Sequence, residues 1–334
     1  MGSEPEPIET VEFDAAQLMR DFPPHWRHAH KQLVYDIACP VGFVPRGRVI
    51  YSRWNAVLPL PRIDSRAAVE KTHVREAVYD YQSLDALPDA VDWHVNFADP
   101  NLFVAYGSAL FAQDEMQVAE HPVLGSVRQA LLAQRCEPVT VDASGATPVL
   151  ITGAERRCRI ATDRNAAQGR PAGLYGNAFA LGTPEAIRHA TVRLDPPTVT
   201  NLIAMAALPG NDGHYSAAEI AFTLGTAFSG FRAAVLESAR QFGPRPVVVH
   251  SGFWGCGAFG GNRVLMSMLQ MLAAQAAGVG ALVYHTGSPP GTAPWNRARD
   301  LLLDARSGIE APTTAALCEG LAALGFAWGK GDGN

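Results

Sequence analysis

The 334-residue sequence has few cysteines: Cys39, Cys136, Cys158, Cys256 and Cys318, an odd number at wide spacing with no C-x-x-C. That spacing speaks against a zinc site or a disulfide framework and fits a reducing, cytoplasmic setting. No uninterrupted run of about 18 apolar residues occurs, so no membrane span is expected. "MGSEPEPIETVEF" has neither a positive stretch nor an apolar one, so it does not read as a signal peptide. It also lacks the Ser or Thr of a myristoylation pattern at its sixth position. Excess charge is scarce too. The net charge is -5 and no strongly basic stretch appears, so nothing signals direct nucleic-acid binding. An anionic ligand would have to be held locally. What remains, 48% hydrophobic and 18% charged, is an ordinary globular composition with enough length for a sizeable core. No internal repeat is visible.

Residues 1–12 read as a disordered lead. Residues 13–90 read as a mainly helical accessory segment, with apolar residues at three- and four-residue spacing in "DAAQLMRDF", "HAHKQLVYDIA" and "SRAAVEKTHVREAVYDYQSL". One short strand is expected between the second and third of these. From 91 to 330 strands alternate with helices, which indicates a layered α/β domain. "VDWHVNFA", "TPVLITGA", "TVTNLIAMAAL", "RPVVVHSG" and "GALVYHTG" read as strands. "VLGSVRQALLAQ", "SAAEIAFTLGTAFSGFRAAVLESARQF" and "NRVLMSMLQMLAAQAA" read as helices, and two more helices close the chain. The tail "GKGDGN" is expected to fray.

Five glycines fall between Gly252 and Gly261, after a strand and before a helix. Such a loop can hold an anion on backbone N–H groups. Gly255 to Gly260 also satisfies G-x-G-x-x-G. The dinucleotide reading is weak here, because the next strand ends in His285 and Thr286 rather than in an acid, and about 50 residues remain after it. The Lys-Ser/Thr ending of a P-loop is missing as well. A plain packing turn is the other alternative. Trp254 and Phe259 argue against it, because bulky aromatics among glycines shape a wall.

"SGFWGCGAFGGN", followed by a helix carrying "LMSMLQMLAA", resembles the signature of the poly(ADP-ribose) glycohydrolases, with agreement at every position from Trp254 to Gly261. A second stretch, "NFADPNLFVAYGSALFAQDEMQVAEHP", is similar to that family's catalytic loop, and Phe97-Ala98 stands at matching distance from Gln113-Asp114-Glu115. "PVLITGAE" and "TNLIAMAAL" resemble two of its strands, so the resemblance runs from about 95 to 290. It implies a macrodomain-like three-layer α/β/α sandwich with a mainly helical N-terminal extension. It implies Glu115 and Asp114 as catalytic residues. It implies a ligand wall of Phe97, Ala98, Asp99, Gln113, Gly252, Trp254, Gly255, Cys256, Gly257, Ala258, Phe259, Gly260, Gly261 and Tyr284. No metal and no cofactor are expected. The implied partners are ADP-ribose or a related nucleotide and an ADP-ribosylated protein. A Glu at 115 suits the chemistry, because cleaving a glycosidic bond needs a proton for the leaving oxygen. A solvated helix start is the bland alternative for "QDE".

The departures fall mostly on the ribose and adenine side, with Phe253 for an Asn and Asn262 for an Asp at the two ends of the glycine loop. Phe103-Val104-Ala105 replaces a glycine triplet, Asp99 replaces an Asn, and Asp114 shortens a Glu. "RRCRIATD" replaces a stretch with tyrosines, and its arginines are expected to be solvated. Gly287 replaces an aromatic. Three readings remain open: a hydrolase of ADP-ribose linkages with a remodelled pocket, a non-catalytic ADP-ribose or nucleotide binder, or glycosidic chemistry on another NAD-derived or nucleotide-sugar metabolite. Three tempting groups are set aside. His250 reads as a satisfied strand-end residue, "HWRHAH" as a surface helix start, and Cys256 as a packing residue.

Overall fold

A computed structural model describes residues 5–57, 60–61, 63–76, 79–304 and 313–332. The chain opens with strand β1 (Pro7–Asp14), helices α1 (Ala15–Asp21) and α2 (Ala29–Ala38), strand β2 (Arg48–Trp54), helix α3 (Ser65–Glu70) and strands β3 (Thr72–Arg75) and β4 (Val91–Ala98). Helices α4 (Gln113–Glu120) and α5 (Val123–Ala133) follow, then the small hairpin β5 (Val141–Asp142) and β6 (Gly145–Ala146), and the long strand β7 (Val149–Ile160). Next come α6 (Ala178–Leu181), α7 (Pro184–Ala190), β8 (Thr191–Ala206) and the long helix α8 (Ala217–Phe242). The chain finishes with β9 (Val247–Ser251), α9 (Arg263–Ala277), β10 (Ala281–His285), α10 (Pro289–Leu303) and α11 (Thr314–Ala323).

Eight strands form one mixed sheet in the order β1-β2-β7-β8-β4-β9-β10-β3. The β8–β4, β4–β9, β9–β10 and β10–β3 pairs are parallel, and the β1–β2, β2–β7 and β7–β8 pairs antiparallel. Successive strand residues point to opposite faces, and helices cover both faces. Ile203 and Met205 pack with α8, α9 and α11, whereas Leu202 and Ala204 pack with α1 and α5. This is the expected three-layer sandwich. Its central strands are buried on both faces, which is why they read as continuous apolar runs.

The N-terminal segment differs from expectation. It contains helices α1 to α3, but it also supplies strands. Pro7 to Glu12, expected as disordered lead, belong to β1, whose Val11 and Phe13 pack on the core through a period-two pattern hidden among acids. The helix expected across "SRAAVEKTHVREAVYDYQSL" stops at Glu70. Thr72–Arg75 instead pairs with β10 as the edge strand, and positions 77 and 78 lie outside the described residues. The tail does not fray as far as Asp332. Trp328 stacks on Tyr215 at 3.9 Å, Gly329 N–H donates to the Gly260 carbonyl at 2.7 Å, and Asp332 N–H reaches the Gly257 carbonyl at 3.4 Å.

Candidate active site

The parallel strands β4, β8, β9 and β10 end at Ala98, Ala206, Ser251 and His285. The loops leaving those ends surround a cleft of about 540 Å³. Ligands commonly bind at such carboxyl ends. One wall is the glycine loop. Gln270 on α9 donates to the Gly252 carbonyl at 2.9 Å, and the Trp254 indole donates to the Met205 carbonyl at 2.9 Å, so the loop is fixed to both a helix and a strand. Internal turns run from Cys256 N–H to Phe253, Gly260 N–H to Gly257, and Gly261 N–H to Gly255. The N–H groups of Gly257, Ala258 and Phe259 enter none of these bonds, which leaves them for an anion. Gly255 has φ 75°, and a Cβ there would meet the Ala207 methyl at 2.6 Å. No larger residue fits that turn. Asn262 then caps α9 by accepting from Val264 and Leu265 N–H.

The facing wall is the start of α4. Asp114 and Glu115 are 6% and 3% exposed and both line the cleft. Asp114 Oδ1 accepts from the Asn96 amide at 3.0 Å, and Glu115 Oε2 accepts from Ala112 N–H at 3.0 Å. Burial pushes the Asp114 carboxyl well above the usual carboxylate range, and the charge of Glu115 adds to this. Burial also raises Glu115. Both shifts favour the neutral carboxyl over the charged one. Arg263 lies 4.9 Å over the Phe253 ring, and it is the single Lys or Arg among the described cleft-lining residues.

The substituted triplet does not block the cleft. Phe103 keeps a left-handed backbone at φ 55°, and its ring is fully buried in the cluster with Leu18, Leu102 and Val118. Val104 and Ala105 face the cleft in its place. The loop thus adopts a conformation that glycine reaches easily while sending the bulky side chain into the core.

Phe97, Ala98, Asp99, Gln113, Gly252 and the run from Trp254 to Phe259 all border the cleft. Several are already engaged there. Gln113 accepts from Phe97 N–H at 2.7 Å and donates to the Val95 carbonyl, so its amide joins α4 to β4. Asp99 accepts from Asn101 N–H at 2.8 Å. Three expectations need correction. Tyr284 is fully buried against Ser267, 2.9 Å away, and does not line the cleft. Gly260 and Gly261 do not line it either. Gly260 backs onto the tail and Gly261 closes the turn with Gly255. The arginines expected in solvent are divided. Arg156 pairs with Glu120 at 2.8 Å and Arg157 is buried beside Glu155, while Arg159 is exposed. Burial pushes the Cys256 thiol up to about 12, which suits packing rather than nucleophilic chemistry. His250, expected to be satisfied, is so at one nitrogen only: Nε2 lies 2.9 Å from Asp92, while the buried Nδ1 has no hydrogen-bond partner among the described residues.

Sequence reasoning missed Tyr79, Tyr175, His285 and Asp332 on the cleft wall. His285 ends a strand beside the glycine loop, and that position could have flagged it. Tyr175 and Asp332 come from irregular segments without a periodic signal.

Residues 172–290 match the model of the family described as Poly (ADP-ribose) glycohydrolase (PARG), Macro domain fold. The match takes in the glycine loop and stops short of the Asp114–Glu115 wall. No curated protein matches the sequence. Among solved structures, poly(ADP-ribose) glycohydrolase from Thermomonospora curvata is similar at 15% identity, over 81% of this chain and 100% of that one, with a TM-score of 0.48. The same protein bound to the inhibitor ADP-HPD gives 16% identity, 81% and 99% coverage and a TM-score of 0.45. The Deinococcus radiodurans enzyme in complex with ADP-ribose gives 14% identity, 88% and 94% coverage and a TM-score of 0.37.

Proposed function

We propose that this chain, a divergent member of the poly(ADP-ribose) glycohydrolase family with a macrodomain fold, hydrolyses a glycosidic linkage of ADP-ribose. The observation that carries the reading is the buried Glu115 carboxyl across one cleft from a glycine loop with uncommitted N–H groups. The loop from Gly255 to Phe259 holds the diphosphate on those N–H groups, and Arg263 adds a positive charge at the rim. Glu115, whose carboxyl burial raises, gives its proton to the departing oxygen as the bond from the anomeric carbon breaks. Water then adds its oxygen to that carbon and returns a proton to Glu115. Asp114, held by Asn96, orients a ribose hydroxyl or that water. Substrates are poly- or mono-ADP-ribose conjugates, ADP-ribosylated proteins among them.

A second reading, binding without cleavage, has one observation in its favour. Glu115 already accepts the Ala112 N–H as a helix-cap residue, a task that explains a glutamate without catalysis. Calorimetry with ADP-ribose and turnover of both conjugate types, for the parent and Glu115→Gln, separate the two. The hydrolase reading expects turnover to fall by about 100-fold or more in the variant, with ADP-ribose affinity kept within a few-fold. Binding without turnover in the parent supports the second reading. No heat at millimolar ADP-ribose removes both.

A further inference from the structure

The sequence holds three lysines, Lys31, Lys71 and Lys330, against many arginines. Lys31 is fully buried, the single buried lysine among the described residues. An ammonium is costly to bury unless something nearby uses its charge. The Lys31 Nζ donates to the Tyr106 carbonyl at 2.6 Å and lies 5.4 Å from the centroid of Phe111. Neither partner is anionic, and among the described residues no carboxylate lies within ion-pair distance of it. The position nevertheless has a direction. Phe111 leads directly into α4, and Val34, one turn beyond Lys31 on α2, packs in one cluster with Phe111, Met116 and Ala119. Lys31 therefore stands behind the acidic wall, on the core side.

The loop it touches is the one that replaces the family's glycine triplet. Arg27 and His28 N–H groups both donate to the Gly107 carbonyl, at 2.9 and 3.0 Å. Arg128 on α5 bonds the Leu102 carbonyl and reaches Asn101 Oδ1 at 2.9 Å. Lys31 bonds Tyr106 beside the Gly107 anchor, so Val104 and Ala105 are presented to the cleft from a loop held on both sides.

We propose that Lys31 is a positioning residue of the cleft: it ties the loop from Asn101 to Ser108 to α2, and it gives the buried Asp114–Glu115 pair a positive charge to ionise against. The charged groups facing this site are Asp114 and Glu115 on α4, Asp99 after β4, Arg128 on α5, and Arg27 and His28 ahead of α2. Burial lowers the Lys31 ammonium to about 8, and the two carboxyls work against that fall, so it stays largely cationic at neutral pH. Naming the pair functional rests on the proposed hydrolysis. The electrostatic link does not, and it can be read without any ligand.

The test compares Lys31→Met, which loses both charge and donor, with Lys31→Gln, which loses the charge and keeps a donor for Tyr106. Infrared titration follows the protonated-carboxyl band, assigned by its loss in Asp114→Asn and Glu115→Gln. In both Lys31 variants the band is expected to persist to a pH higher by about one unit, a tenfold rise in proton affinity. Hydrogen exchange of the loop is expected to rise in Lys31→Met and to stay near the parent in Lys31→Gln. Both variants should fold, because Met and Gln nearly match the volume of the lysine side chain and Lys31 leaves no ion-pair partner within contact distance among the described residues. A band at the parental pH in both variants overturns the proposal. So does failure of both to fold, which would assign Lys31 to the core alone.

Discussion

Phe103 shows how a single residue can hold a left-handed turn while its ring fills the core. Its left-handed φ of 55° is strained for any residue but glycine, by about 1–2 kcal/mol, while its buried ring anchors the loop. The two terms oppose each other in Phe103→Gly. Losing a core Phe costs about 3–5 kcal/mol, and relaxing the backbone returns the smaller amount, so urea denaturation should show a net loss of about 1–4 kcal/mol. ADP-ribose affinity should stay within about twofold, because the ring lies outside the cleft. A tenfold gain in affinity would mean that the ring enters the ribose site after all. Lys31 illustrates the converse. Its letter in "HAHKQLVYDIA" sits in an ordinary amphipathic pattern, and only the tertiary packing gives its charge a role.

Among the elements, the glycine loop and the tail form a single unit. Gly260 has φ 62°, and a Cβ there would come within 2.7 Å of the Gly329 carbonyl. Gly260→Ala should therefore detach the tail before it disturbs α9. Amide exchange at 328–332 should accelerate more than tenfold, while protection in α9 is unchanged. Equal protection of the tail in both proteins would show that the contact does not hold it. The elements that were legible in the sequence share one cause. β4, β9 and β10 are buried on both faces, so their β-branched runs stand out, and the glycine loop is legible because its spacing is unusual. β1 is a half-covered edge whose alternation is diluted by acids. β3 follows α3 so closely that "AAVEKTHV" keeps helical spacing through the break. The tail reads as flexible because its glycines answer to a partner 70 residues away, and no local pattern reports such a partner.

At the scale of the whole molecule, buried imidazoles join the sheet to the helices beside it. His94 on β4 stacks on His250 of β9 at 4.4 Å, His285 ends β10, and His121 follows α4. Burial lowers His121 to about 3 and His285 to about 4, and it holds His94 well below its usual value. A lowered folded pKa gives stability that is present above the unfolded value of about 6.5 and is lost as pH falls. The buried carboxyls Asp114, Glu115 and Glu120 are raised and act in the opposite sense, so the sign is read from a difference. Between about pH 6 and 4 the parent should lose about 1.4 kcal/mol per pH unit relative to His121→Gln. Parallel stability curves for the two proteins would exclude His121 as a source of acid sensitivity. The first strand and the last described residues also stand in different places. β1 forms the outer edge of the sheet, with β2 and β7 between it and β8, whereas Asp332 borders the cleft. A bulky group attached directly at Asp332 would stand at the cleft mouth and compete with any bulky conjugate. One attached ahead of Pro7 would leave that mouth open, which makes the amino end the handle for immobilising this protein in ligand screens.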